Sequence, residues 1–132
     1  MNATREPAEI PGYRLAVAAE SLYLVNLMLA PGLAFMPLAW LWLKHRRDAA
    51  PLARCHLDQT FRVSLIGGTA IVVAIALVIA AGGLDWAWTW VIVVLYFTLI
   101  HSTLIMFGMV GLAKALSGKL YVYPLVGRRC DE

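Results

Sequence analysis

Two long apolar runs dominate the chain. No residue is charged from Val63 to Leu84, and from Trp86 to Ala113 the one basic side chain is His101. Uninterrupted apolar stretches of about 18 residues or more read as membrane spans. The first run is rich in Ile and Val, which suits a buried strand as well. Its length decides for a helix, since strands usually run about 4 to 8 residues. Lipid also requires the backbone to satisfy its own hydrogen bonds within the span.

A third apolar segment, Leu15 to Leu43, comes earlier. At about 1.5 Å per residue it would reach roughly 44 Å as one helix, more than the hydrocarbon core of about 30 Å. Pro31-Gly32 and Pro37 interrupt it and predict a kink or break. A re-entrant hairpin at Pro31-Gly32 is the rival reading, with arms too short to span alone. One kinked span is expected instead. The pattern thus predicts an all-α polytopic membrane protein with three transmembrane helices, the first kinked at Pro31/Pro37. A short interfacial helix around 51–61 is expected as well, with Asp48 as its cap and Pro51 in its first turn. The organisation reads as a polar N-terminal segment 1–14, one helical domain 15–113 and a cytoplasmic tail 114–132. Ser117-Gly118 supplies the last helix stop.

Charge gives the helices a direction. The 44–62 loop holds Lys44, Arg46, Arg47, Arg54 and Arg62, and the tail holds Lys114, Lys119, Arg128 and Arg129. The turn Gly82-Gly83-Leu84-Asp85 holds no basic residue. Cationic loops stay in the cytoplasm, so three spans predict a bacterial inner-membrane protein with its N-terminus outside and its C-terminus inside. The start of the chain lacks the net basic n-region of a cleavable signal. Trp40, Trp42, Trp86, Trp88, Trp90, Tyr121 and Tyr123 fall where interface anchors are expected. The composition agrees: 61% of residues are hydrophobic and 14% charged. That charge fraction is well below the roughly 25% of soluble domains. The basic residues flank spans and form no separate domain, which excludes a nucleic-acid binder.

Candidate chemistry is sparse. His101 falls near the expected midplane, where an ionisable side chain is a functional candidate. It is weighed as a cofactor or redox residue against a neutral imidazole bonded to Asn26, Ser64 or Thr69. Met106 and Met109 point away from it around an ideal helix, so no metal site is expected. His101, Gly108, Gly111 and Ala115, with Gly67 and Gly68, form a small-residue surface that reads as a helix-packing interface. Cys55 and Cys130 have no zinc-type spacing and are expected as reduced cytoplasmic thiols. No catalytic constellation or cofactor site is recognisable.

The segment His56-Leu57-Asp58-Gln59 and the tail Lys114-Ala115-Leu116-Ser117-Gly118-Lys119-Leu120-Tyr121-Val122-Tyr123-Pro124-Leu125 carry a family resemblance. A His-x-x-Gln opening a span and a Tyr-x-Tyr-Pro ending resemble the Tic-twenty-like family, the plastid inner-envelope import component and its small bacterial relatives. The resemblance covers roughly residues 20–127. It implies a compact helical membrane domain with no catalytic residues. Arg62-Val63 stand where the family's Asn-Phe pair would follow, so an import role is not carried over. The function expected is a non-catalytic accessory subunit partnered by the bilayer and by other membrane subunits. A homo-oligomeric transport component and a redox or quinone-linked subunit using His101 are the alternatives.

Overall fold

The computed structural model describes residues 5–130 and is all-helical. A short 3-10 turn, Pro7–Glu9, leads into α1 (Tyr13–Met28), α2 (Phe35–His45), α3 (Pro51–Gly82) and α4 (Ala87–Leu116).

The first apolar segment is two helices, not one kinked span. Its helix ends at Met28, and residues between there and Phe35 form turns. Gly32 has φ +82°, a conformation that L side chains rarely adopt, and its N–H donates to Asn26 Oδ1 at 2.8 Å. Pro37 causes no kink. It lies in the first turn of α2, where its missing N–H leaves no helical bond unmade.

The two helices run in opposite directions along α3. Glu20 of α1 meets His56, and Ala16 packs with Leu52. Phe35, at the start of α2, shares a pocket with Ser64 and Thr69. Trp42, near its end, bonds to Asp58 at 2.5 Å and stacks on Phe61 at 4.1 Å. So α1 ascends beside α3, the chain turns near the level of Thr69, and α2 descends. This is the hairpin arrangement.

The expected interfacial helix 51–61 is not a separate element. It is the opening of α3, which stays helical from Pro51 through the apolar run. No Gly or Pro follows Pro51 before Gly67, so nothing interrupts the ladder. Nor does Asp48 cap it: the N-cap position is Ala50, without a side-chain bond. Gly83, with φ +71°, reverses the chain into α4.

α1 lies antiparallel to α4. Gly108 faces Tyr23 and Leu24, Gly111 faces Glu20, and Ala115 joins Ala16 in a small cluster. Tyr23, Leu38, Leu57 and Val63 form the main core with Ala19, Leu104 and Tyr123. This core fills only the lower half of the bundle. Above it α3 and α4 pack only on each other, burying Val93 but leaving many apolar side chains bare, with Val72 67% and Leu99 67% exposed.

Both ends of the described segment gather at the lower end. Gly118 of the tail lies against Ile10 and Pro7, and Cys130 reaches Cys55. Two helices, α3 and α4, are long and apolar enough to cross a membrane, against the three spans expected. The physical reason is the turn at Pro31-Gly32, which divides the first segment into helices of 16 and 11 residues.

Candidate functional site: a buried clamp between helices and tail

The lower core holds polar side chains, among them His56, Gln59 and Tyr123 of the two sequence motifs, joined by Glu20, which no motif singles out. Glu20 and His56 are both fully buried. His56 Nδ1 lies 2.6 Å from Glu20 Oε1, and its Nε2 lies 2.9 Å from the carbonyl of Lys119. A carbonyl only accepts, so Nε2 carries a proton and donates it. One further proton then lies between Nδ1 and the carboxyl group. The second carboxyl oxygen, Oε2, accepts from the Tyr123 hydroxyl at 2.5 Å.

Gln59 extends the clamp one turn along α3. Its amide N–H donates to the Arg128 carbonyl, and its Oε1 accepts the Tyr123 N–H at 3.4 Å. The tail is thereby fastened at Lys119, Tyr123 and Arg128 by two side chains of α3. His56 and Gln59 are three residues apart, so they share one helix face. Tyr123 also meets Tyr23 edge-on, with centroids 5.6 Å apart. Burial pushes the Tyr123 hydroxyl well above the ordinary tyrosine range, and the Glu20 charge adds to this. Burial also raises Tyr121, again assisted by Glu20.

Gly111 makes room for the clamp. A Cβ there would stand 2.5 Å from Glu20 Oε2 and 2.8 Å from the Tyr123 hydroxyl. At Gly108 it would stand 2.6 Å from the Tyr23 ring. Gly67 faces Leu104, whereas Gly68 has nothing within 4 Å. His101 lies elsewhere. Its ring stacks on Phe97 at 4.8 Å. Among the described residues it makes no bond to Asn26, Ser64 or Thr69: Asn26 caps the Gly32 turn, and the Ser64 hydroxyl is unpartnered.

The aromatic residues divide into two sets. Trp86, Trp88 and Trp90 are exposed at the far end, and Trp90 donates to the Leu84 carbonyl at 2.8 Å. Trp40 is exposed beneath the Lys44 ammonium, 4.8 Å from its ring centroid. Trp42 packs inward on Phe61, while Tyr123 belongs to the clamp. The two cysteines are not separate thiols. Cys55 and Cys130 are joined as a disulfide, with Cα atoms 5.3 Å apart. Their spacing of 75 residues gives no hint of this.

Residues 14–129 match the family model MamF_MmsF, described as the magnetosome magnetite crystal formation protein family. The chain belongs to this family. No curated protein and no solved structure matches it. The match replaces the Tic-twenty-like resemblance. The two motifs behind that resemblance are the two halves of the clamp: His56 and Gln59 on the helix, Tyr123 on the tail. Such residues record how a tail is fastened to a helix, and an architectural motif of that kind does not specify an activity. Family membership and the two long apolar helices α3 and α4 make the chain a membrane protein.

Proposed function

We propose that the chain is a non-catalytic scaffold of the magnetosome membrane that supports magnetite crystal formation by holding other membrane subunits. One observation carries the reading. The buried ionisable side chains Glu20, His56 and Tyr123 are spent on fastening the tail, while the upper halves of α3 and α4 offer bare apolar surface. Clefts that do chemistry instead leave titratable groups facing a substrate.

The topology that fits best has two spans, α3 and α4. The α1–α2 hairpin enters from the basic face and leaves by it. Lys44, Arg46, Arg47 and the tail cations then lie on the cytoplasmic side, together with both chain ends. The exposed stripe Met36, Trp40 and Leu43 on α2 supports immersion of the hairpin's outer face. Trp40 and the Trp86–Trp90 group act as anchors at the two surfaces. The Gly82–Trp86 turn faces the crystal compartment. It brings one carboxylate there, Asp85, while iron-binding surfaces favour several oxygen ligands together. That argues for organising the membrane rather than templating mineral. Gly67, Gly108, Gly111 and Ala115 serve packing within the chain. Gly68 faces outward, where a partner helix fits, and His101 lies half-buried against Phe97.

Deleting the chain from a magnetosome-forming host tests the function. Membranes should still form while crystal size or number changes, and the intact chain should restore it. Unchanged crystals would remove the reading.

A further inference from the structure

A cavity of about 260 Å³ opens beside the clamp, lined by Arg54, Asp58, Gln59, Arg128, Arg129 and the Cys55–Cys130 bridge. Three arginines line it against one acidic residue. Asp58 already accepts the Trp42 N–H on Oδ1. Among the described residues none of the three arginines lies within ion-pair distance of an acid. The opening of α3 is also here, with Pro51 on the rim, and the start of a helix adds partial positive charge. Arg54 comes from α3, while Arg128 and Arg129 come from the tail. They are brought together by the Gln59 bond to the Arg128 carbonyl and by the disulfide two residues away. Guanidinium forks match the oxygens of a phosphate group.

We propose that this cavity binds the phosphate of an anionic phospholipid headgroup at the cytoplasmic surface. The depth argues for lipid as the source. Asp58 is level with Trp42, one residue from the exposed apolar Leu43, and the cation-bearing Arg46 lies over the Trp42 ring at 4.9 Å. That is the level of the headgroups, where basic pockets bind anionic lipid. The idea rests on the basic-face topology proposed above. The disulfide gives the site a redox dependence, since opening it leaves Gln59 as the remaining tie on the segment that carries Arg128 and Arg129.

Native mass spectrometry of the full chain, released from nanodiscs of mixed phosphatidylglycerol and phosphatidylcholine, tests this. The expected result is one retained phosphatidylglycerol per chain, with retention about tenfold weaker in R54Q/R129Q. R47Q, outside the cavity, should retain it normally, and a thiol reductant should weaken retention in the intact protein. Both variants should melt like the parent. Equal retention by R54Q/R129Q, or no preference for phosphatidylglycerol, overturns the proposal. Displacement of the lipid by millimolar inorganic phosphate overturns the lipid as source. Side-specific labelling of the two chain ends in the same preparation reports the topology separately, so either idea can fail alone.

Discussion

Glu20 Oε1 and His56 Nδ1 stand 2.6 Å apart with both side chains wholly excluded from solvent. Burying either ionisable group alone is costly, and the cost is offset only when the other is present to share a proton. Removing one partner therefore does more harm than its lost hydrogen bond. His56→Ala should destabilise the folded chain by about 3–5 kcal/mol, as for other broken buried pairs. Glu20→Gln/His56→Gln, which leaves no unpaired charge, should cost less than His56→Ala. Melting of the detergent-solubilised variants checks the order. The double variant proving worse than His56→Ala would contradict the shared-proton pair.

The two glycines of the α4 stripe answer to different neighbours than those of α3. Gly111→Val would drive a branched side chain into Glu20 and Tyr123, so the tail should detach or the helices separate, at a cost of several kcal/mol, roughly. Gly68→Ala meets nothing and should be neutral, or stabilising by up to about 1 kcal/mol through helix propensity. Limited proteolysis of the tail distinguishes them: rapid cleavage is expected for Gly111→Val and parent-like resistance for Gly68→Ala.

The Tyr123 hydroxyl gives the clamp a pH limit. Its value in the fold lies above the ordinary 10.0. Below pH 10 the hydroxyl is neutral in both folded and unfolded chain, and its contribution to stability is complete. Above that pH the unfolded chain loses the proton first, so stability falls as pH rises. The melting temperature should decline above about pH 10, and less steeply in Tyr123→Phe. Parallel declines in the two proteins would exclude Tyr123 as a source.

Alkylation followed by mass spectrometry reads the cysteine pair. The isolated protein should show no reactive thiol before reduction and two after it. Losing the bridge should lower stability by about 2–4 kcal/mol. On the topology proposed above the bridge lies on the cytoplasmic side, where thiols are normally kept reduced, so it is expected to open readily there. Thiols that alkylate fully without a reductant would show that the tail is held by His56 and Gln59 alone.

Much of the helical content was legible in the residues. The runs after Val63 and Trp86 are too long and too apolar for anything but helices, and Gly83 and Gly118 end them where the pattern indicates. The first segment was not legible, because a proline in an apolar run is compatible with a kink or with a reversal. Only the long-range neighbours decide it: Phe35 and Trp42 both stack on Phe61, with Phe35 beside the pocket of Ser64 and Thr69 and Trp42 bonded to Asp58. The clamp was half legible: the motifs of His56, Gln59 and Tyr123 stand out, but their meeting at Glu20 does not. Glu20, His56 and Tyr123 lie on α1, α3 and the tail, up to 103 positions apart. Nothing in local spacing tells a buried proton-sharing cluster from solvated charges. His101 interrupts an apolar run, and its ring stacks on Phe97.

In the proposed topology the α1–α2 segment returns to the face it came from. Small epitope tags on the two chain ends, digested by protease in sealed vesicles of known orientation, test it most directly. Both tags should be cleaved from the same side, and a cysteine replacing Asp85 should be labelled only from the other. A protected N-terminal tag beside a cleaved C-terminal tag would contradict the hairpin and restore a first span that crosses.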